Sequence, residues 1–258
     1  MNPRLPTPCA ARGARRQRGF TLVEMMVAVS IGLVVALGFT VSFVNLKATW
    51  GTQDKLAQLQ DNERLAMTYL TSSVEEAGYF VDSTPPGLSK ATAFTATFTD
   101  ATYGNIAPGQ FITGTVAGAS VPISLTTVYQ SASGDGILTC QGATNSSGGT
   151  VNIRNTFYVD TANHTLNCLV ATSPSTTALN ATSAALVSNV DSMSVLYAVD
   201  TAADGSADKY LTSDHVTDWT TVKGVRISIN FINPNAALAG GQAATIPWTQ
   251  TINLMNNR

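Results

Sequence analysis

The chain has 258 residues, enough for one domain of ordinary size and one additional element. Hydrophobic residues make up 44% of it, and charged residues only 12%, against a usual charged share of about 25%. So low a charge, in a chain rich in Thr, Ser, Ala, Gly and Asn, argues against a cytosolic enzyme and favours an exported, β-rich protein.

The first 19 residues are predicted to form a basic leader. They contain no acidic residue and five of the 14 basic ones, namely Arg4, Arg12, Arg15, Arg16 and Arg18. Without this leader, nine basic and 16 acidic residues remain, a net charge of −7. That acidity argues against a diffuse basic surface, so nucleic acid is not directly indicated as a partner.

A segment without any charged residue follows, from Met25 to Leu46. As a helix, these 22 residues are long enough to cross a hydrocarbon core of about 30 Å. The basic leader predicts a cytoplasmic N-terminus and a translocated C-terminal body. A secretory signal would have a small-residue cleavage site after the apolar run, whereas here the small residue, Gly19, precedes it. A cut after Gly19 would therefore leave the hydrophobic helix in the mature protein.

Glu24 lies near the start of this apolar region. At the centre of a lone transmembrane helix a carboxylate costs about 2.5–3.5 kcal/mol, and the cost is smaller near the end. Cleavage after Gly19 would free the α-amine of Phe20, a cation four residues from Glu24 and on the same helical face. That amine could pair with Glu24 of the same chain or of a neighbouring subunit. The alternative is a carboxylate that simply reaches the lipid headgroups.

An amphipathic continuation of the helix is predicted beyond Trp50. Apolar residues recur there at spacings of three and four, at Leu56, Leu59, Ala66, Met67, Leu70, Val74 and Ala77. This stripe is expected to pack on a globular domain. Gly78 is a plausible helix stop, and the Pro85-Pro86 pair forbids continuation.

The rest of the chain alternates β-favouring segments with turn clusters. The predicted strands are 91–99, 110–116, 121–130, 136–142, 150–160, 165–171, 191–200 and 222–232. The predicted fold class is therefore α+β, a long N-terminal helix packed on a mostly antiparallel β-sheet domain. The predicted boundaries are a cleaved leader at 1–19, a hydrophobic helix at 20–47, its amphipathic continuation at 48–80 and a β-rich domain at 81–258.

Two cysteines, Cys140 and Cys168, would remain after removal of a leader that contains Cys9. In an exported chain they fit one disulfide, which would close a loop of 29 residues counting both ends. The alternative is a pair of buried, unlinked thiols. The chain-entropy estimate for such a disulfide is about 3–4 kcal/mol.

An acidic turn is the best candidate for a small-ligand site. Asp200, Asp204 and Asp208 fit positions 1, 5 and 9 of a calcium loop, and Gly205 falls at its sharp turn. Position 3, however, is Ala202, and position 12 lacks the bidentate glutamate. The alternative is an acidic hairpin turn in which Asp and Gly supply turn geometry. Calcium is the only cofactor that the sequence suggests.

No enzymatic motif is evident. His164 and His215 each lie among turn-type residues, outside any metal-binding spacing, and are expected to be surface residues. The sequence contains neither a P-loop nor a nucleophile elbow. We therefore expect a protein that is not an enzyme.

The sequence GFTLVE at residues 19–24, after a basic leader and before about 20 apolar residues, resembles the class III signal of type IV prepilins. The resemblance implies cleavage between Gly19 and Phe20 by the prepilin peptidase and N-methylation of Phe20. It also implies that Glu24 helps to set the subunit register during assembly.

The remainder resembles a narrower family, the PilW-type minor pilins. The similarity lies in EEAGY at 75–79, the strands around Cys140 and Cys168, the stretch 194–210 and the strand 222–232. It implies a minor pilin in a tip or priming complex, which supports pilus biogenesis and through it twitching motility, adhesion or DNA uptake.

The resemblance further implies partners and a location. The partners would be other minor pilins, the major pilin, the prepilin peptidase, the inner-membrane assembly platform and, before assembly, membrane lipid. The protein would cross the inner membrane once, with a periplasmic β-domain, and then enter a cell-surface pilus. A J-like pseudopilin of a type II secretion system, a ligand-binding tip adhesin and an envelope protein unrelated to pili remain alternatives.

Overall fold

The computed structural model of the chain describes residues 19–81, 93–95, 98–100, 102–118, 121–173, 183–236 and 243–256. The basic residues predicted for the leader, Cys9 and the Pro85-Pro86 pair lie outside these ranges. The chain divides into two compact units, Met1–Gly51 and Thr52–Arg258.

One long helix, α1, runs from Leu22 to Glu76, which confirms the predicted long N-terminal helix. Its N-terminal part is apolar and long enough to cross a membrane by length and composition. In this part, every large hydrophobic side chain from Phe20 to Leu46 is at least half exposed. None of the described residues of the first unit, 19–51, therefore shields this apolar surface from its surroundings.

The C-terminal part of α1 belongs to the second unit and is amphipathic. Its apolar stripe is buried at Leu59, Ala66, Met67, Leu70, Val74 and Ala77. Leu56, which was predicted to share this stripe, is exposed instead, so burial begins one helical turn later. At the centre of the packed face, the Ser73 hydroxyl lies 2.6 Å from the Thr127 hydroxyl and so links α1 to a strand.

Gly78 causes α1 to end at Glu76. The glycine has a φ of +76°, a left-handed conformation in which glycine is not strained. Its N–H donates to the Val128 carbonyl at 2.9 Å. A side chain here would also approach the Phe111 ring at 3.0 Å, so the helix stop and the close packing both require glycine.

The described part of the chain contains nine strands in two sheets, and every pairing between them is antiparallel. The first sheet has the order β1-β2-β3-β4-β5 and the second has the order β7-β6-β8-β9. The strands of the first sheet are β1 (Ile112–Thr115), β2 (Ser124–Ser131), β3 (Val151–Asp160), β4 (Thr165–Ser173) and β5 (Ala184–Ser188). Those of the second sheet are β6 (Val190–Val199), β7 (Lys209–Leu211), β8 (Val222–Ile232) and β9 (Thr245–Asn253). The predicted α+β class is thus confirmed.

The two sheets meet at a buried tyrosine. Tyr197 on β6 is fully buried, and its hydroxyl donates to the Thr113 carbonyl on β1 at 3.2 Å. A side chain at Gly114 would collide with this hydroxyl and with the Ser124 carbonyl. Glycine at this point therefore allows the two sheets to approach each other closely.

The strand predictions were wrong at two places. Segment 136–142 is a turn region with one isolated bridge, Leu138 to Thr144, because Gly136 and Gly142 both take positive φ angles that interrupt a strand. Among the described residues of segment 91–99, Phe98 makes only an isolated bridge to Ile106. Strands β5, β7 and β9 were not predicted.

Candidate processing and assembly site

Thr21 caps the N-terminus of α1. Its carbonyl accepts the first helical hydrogen bond, from the N–H of Met25 at 3.2 Å, and its hydroxyl accepts the N–H of Glu24 at 3.3 Å. Thr21 is thus the N-cap residue and Glu24 occupies the third helical position. A Thr followed three residues later by Glu is the sequence of a capping box.

Glu24 therefore has a role within its own chain that sequence reasoning missed. Its carboxylate lies in the first turn of α1, where the unpaired N–H groups favour a negative charge. The signal was present in the spacing of Thr21 and Glu24. The predicted pairing of Glu24 with the amine of Phe20 requires a cleaved chain, and it stays a prediction.

The bond between Gly19 and Phe20 is accessible. Both residues are exposed, and the Phe20 side chain is 82% exposed. A side chain at Gly19 would meet no described atom within 4 Å. The fold of the described residues therefore does not require glycine at this position.

Cys140 and Cys168 form the predicted disulfide. Cys168 lies on β4 and is fully buried, whereas Cys140 lies in the turn region after β2. Their Cα atoms are 6.4 Å apart, and the Gln141 side-chain amide donates to the Cys168 carbonyl at 2.8 Å. The Cys140 N–H also donates to the Asn155 side chain at 3.4 Å. The disulfide thus ties the region between β2 and β3 to strand β4 of the first sheet.

The acidic turn is held together by its own carboxylates. Asp200 is 4% exposed and accepts the N–H groups of Asp204 and Gly205 at 3.3 and 2.9 Å. One oxygen of Asp208 accepts the N–H and hydroxyl of Thr201 and the N–H of Ala202 at 2.7–2.9 Å. These bonds close a hairpin turn between β6 and β7.

The remaining carboxylate of the turn is also engaged locally. Asp204 accepts the N–H and hydroxyl of Ser206, which lowers the pKa of this carboxyl. Lys223 lies 3.8 Å from Asp200 and supplies a nearby positive charge. Among the described residues, no group of three or more His, Cys, Asp or Glu side chains is arranged to hold a metal ion. The predicted calcium ligands therefore do not converge, and the arrangement favours the hairpin-turn alternative.

The two histidines lie apart from these features. His164 is exposed in the turn between β3 and β4, and His215 is exposed in a short 3₁₀ turn. The ring of His215 lies 3.0 Å from the Thr212 hydroxyl and 3.1 Å from Asp214. Their prediction as surface residues is confirmed.

Two family models match the chain. The prokaryotic N-terminal methylation motif matches residues 14–40, which include the capped start of α1. The model for type IV pilus-assembly protein W matches residues 156–252, from the second half of β3 to the end of β9. No curated protein and no solved structure gives a significant match.

One match falls on the apolar part of α1, and the other falls on the β-rich domain. The methylation motif covers the exposed apolar helix up to residue 40, and the PilW match covers the disulfide-bonded strand β4 and the second sheet except for the last residue of β9. A membrane-anchored pilin that interacts with other pilus components is consistent with both. Together the two matches, over residues 14–40 and 156–252, support a type IV prepilin-like protein of the PilW type, a minor pilin of a type IV pilus.

Proposed function

We propose that this minor pilin is a structural subunit of the tip or priming complex of the pilus and not an enzyme. The observation that carries the proposal is the exposed apolar surface from Phe20 to Leu46, which has Glu24 as its single charged residue and lies within the methylation motif up to residue 40. Such a surface is stable only in lipid or against other apolar helices. A filament core supplies the second environment.

The proposed life cycle has a membrane stage and a filament stage. The helix first spans the inner membrane, with its N-terminus in the cytoplasm and the β-domain in the periplasm. The prepilin peptidase cuts between Gly19 and Phe20, and Phe20 becomes N-methylated. The assembly platform then transfers the subunit, with other minor pilins and the major pilin, into the filament.

Glu24 links the two stages in this proposal. In lipid its charge stabilises the first turn of α1 through the capping arrangement with Thr21. After cleavage, the amine of Phe20 supplies a cation that pairs with Glu24 of a neighbouring subunit. The subunit thereby supports pilus biogenesis, and through it twitching motility, adhesion or DNA uptake.

The test combines chemistry at the N-terminus with location in the cell. Mass spectrometry of the mature protein is expected to find N-methylated Phe20, and immunoblots of sheared pili are expected to contain the subunit at a low level. Deletion of the gene is expected to reduce the number of surface pili. An N-terminus that still carries residues 1–19, or pili that are unchanged after deletion, would contradict the proposal.

The same deletion separates the alternatives. Loss of protein secretion with normal pili would indicate a pseudopilin of a type II secretion system. Normal pilus number with loss of surface or DNA binding would indicate a tip adhesin.

A further inference from the structure

Strand β9 is an edge strand with a free side. It lies at the end of the order β7-β6-β8-β9, and no described strand pairs with its outer edge. The N–H of Leu254 donates to the Lys223 carbonyl at 2.8 Å, and these two residues stand opposite each other by continuation of the register. Even-numbered residues of β9 therefore bond to β8, and odd-numbered residues direct their N–H and C=O groups outward.

Proline in β9 agrees with this assignment. Pro247 lies at an odd-numbered position, where the missing N–H faces away from β8, as is usual for proline in an edge strand. The next outward N–H groups are those of Thr249, Thr251 and Asn253. The second half of β9 thus presents an edge that can accept another strand.

A groove runs between this edge and α1. It has a volume of about 600 Å³, and its lining includes Gln60, Glu63, Arg64, Met67, Trp248 and Gln250. Trp248 and Gln250 stand opposite Ile229 and Ile227 of β8 and so share the inner face of the sheet. Trp248 is nevertheless 43% exposed, because the sheet ends at β9 and does not cover it.

Glu63 lines this groove. The residue as a whole is only 5% exposed, and no described residue gives its carboxylate a hydrogen bond or an ion pair. Loss of hydration raises the pKa of this carboxyl above its ordinary value. A carboxylate that has lost part of its hydration is stabilised by a hydrogen-bond donor or a cation placed against it.

We propose that a neighbouring subunit of the same pilus adds an extended segment to the outer edge of β9 and places a Lys or Arg side chain against Glu63. The partner is identified by two complementary features: main-chain groups for Thr249 and Thr251, and a positive charge for Glu63. The inference rests on the proposed function, because it takes the partner from the pilus.

Strand addition explains the geometry better than contact between side chains alone. A strand beside β9 would extend the second sheet over the groove and cover Trp248 and Met67. Its main chain would bond to the outward groups of β9, and alternate side chains would point toward α1. One of those side chains would reach Glu63.

The charge is tested with Glu63→Gln in the full-length, tagged chain, purified from its own membranes in mild detergent. The readout is the amount of other subunits with an N-terminal methylation motif that copurify, measured by mass spectrometry. We expect about a tenfold loss, as for one charge-assisted hydrogen bond, while thermal stability is unchanged or increased. The matched control is Glu76→Gln, which also removes a carboxylate from α1 but lies outside the groove.

The edge is tested with Thr251→Pro, which removes one outward N–H without removing a bond to β8. Thr251 is exposed, and Thr251→Ala is the control because it keeps the N–H. We expect Thr251→Pro to reduce copurification about tenfold and Thr251→Ala to leave it unchanged. If Thr251→Pro unfolds the domain, the Glu63→Gln result alone decides.

Undiminished copurification with Glu63→Gln would overturn the inference. It would also be overturned if the partner lost by both variants were a second copy of this chain, detected with a differently tagged copy. If the unchanged chain recovers no pilus subunit and its deletion leaves pili intact, the proposed function itself fails. That result appears before any variant is made, so the two failures are distinguishable.

Discussion

The two parts of α1 have opposite relations to their surroundings. From Phe20 to Leu46 the large apolar side chains are exposed, and Glu24 is the only charged residue. From Leu59 to Ala77 the apolar stripe is buried, and the other face is mostly polar, with Leu65 as an exposed apolar residue. One continuous helix thus carries two different kinds of surface.

This difference separates assembly from folding. The N-terminal part has no described partner in its own chain, so lipid or other subunits must stabilise it. The C-terminal part gains its stability from burial against β-strands of the same chain, at roughly 25 cal/mol per Å² of apolar surface. Changes before residue 51 should therefore alter processing and assembly and leave unfolding unchanged, whereas changes in the buried stripe and core of the second unit should alter the free energy of unfolding.

The largest effect is expected at the cleavage site. Gly19→Val should abolish cleavage and with it incorporation into pili, because a branched side chain next to the cut bond obstructs the peptidase. Gly19→Ala adds a single methyl group and should slow cleavage less. Mobility on gels and N-terminal sequencing measure both effects.

Thermal unfolding of the second unit should be the same in both Gly19 variants, since no described atom lies within 4 Å of an added Cβ. A change in unfolding temperature would show that residue 19 influences the stability of the second unit, so that assembly and folding would not depend on separate parts of the chain. Normal cleavage of Gly19→Val would contradict the prediction that the peptidase requires a small residue before the bond it cuts.

Substitutions at Glu24 distinguish two roles of its carboxylate, the capping of α1 and the pairing with the amine of Phe20. Glu24→Val removes both the charge and the capping group, so we expect assembly to fall at least about tenfold while cleavage continues. Glu24→Gln keeps a side chain that suits a capping box but has no charge to pair with the amine of Phe20. Counts of surface pili and the processed fraction of the subunit give the readout.

If Glu24→Gln assembles as poorly as Glu24→Val, the charge is what matters. If it restores assembly, the capping of α1 by Thr21 and residue 24 is sufficient. Normal piliation in Glu24→Val would rule out both roles.

The disulfide should affect only the second unit. Cys140→Ser with Cys168→Ser removes the link between the turn region and β4, and unfolding should become easier by about 3–4 kcal/mol. Denaturant unfolding in detergent, with and without reductant, measures this difference. Reductant should destabilise the unchanged chain and leave the double variant unaffected.

Cleavage after Gly19 should continue at its normal rate in this double variant, which serves as the internal control. A cleavage defect would show that the state of the β-domain influences processing. It would contradict the expectation that processing depends only on the N-terminal part of α1.

The sequence predicted the elements whose signal is local and repeated. The helix from Leu22 to Glu76, its stop at Gly78 and the alternating strand β8 follow from periodicity and from a glycine in a left-handed conformation. Strand β9 was missed because Pro247 and its exposed residues weaken the pattern of a strand, although an edge strand tolerates both. The three residues of β7 are too few to show alternation.

The candidate sites also differ in whether a local sequence signal could identify them. Gly19, Phe20 and Glu24 were identified from a contiguous motif, and the disulfide from a count of cysteines. The calcium prediction assumed that Asp200, Asp204 and Asp208 point to one centre, but each accepts hydrogen bonds from its own turn. Spacing fixes which residues are near one another, and it does not fix the direction of a carboxylate. The groove beside β9 joins residues nearly 190 positions apart, so no local pattern could predict it.

The smallest predicted effect is a pH dependence at the end of α1. Burial, and then the charge of Glu75, raise the pKa of Glu76 to about 7, and the last turn of α1 has no basic residue to oppose this. A raised pKa means that the folded state holds its proton longer than the unfolded chain, whose carboxyl titrates near 4.5. The contribution of Glu76 to stability is therefore full below pH 4.5 and is lost as the pH rises to 7.

Glu76→Gln removes this loss because the amide does not titrate. At pH 4 the variant and the unchanged chain should have the same stability, and at pH 8 the variant should be more stable by about 1 kcal/mol, since solvent screens a partly exposed carboxylate. Denaturant unfolding at several pH values measures the difference. The Asn256 side-chain amide donates to the Glu75 carbonyl at 2.9 Å and so ties the C-terminal segment to this helix end. If the difference in unfolding free energy between the two proteins were independent of pH, the shape of the side chain and not its charge would determine stability at this end of the helix. The C-terminal part of α1 would then depend on packing alone.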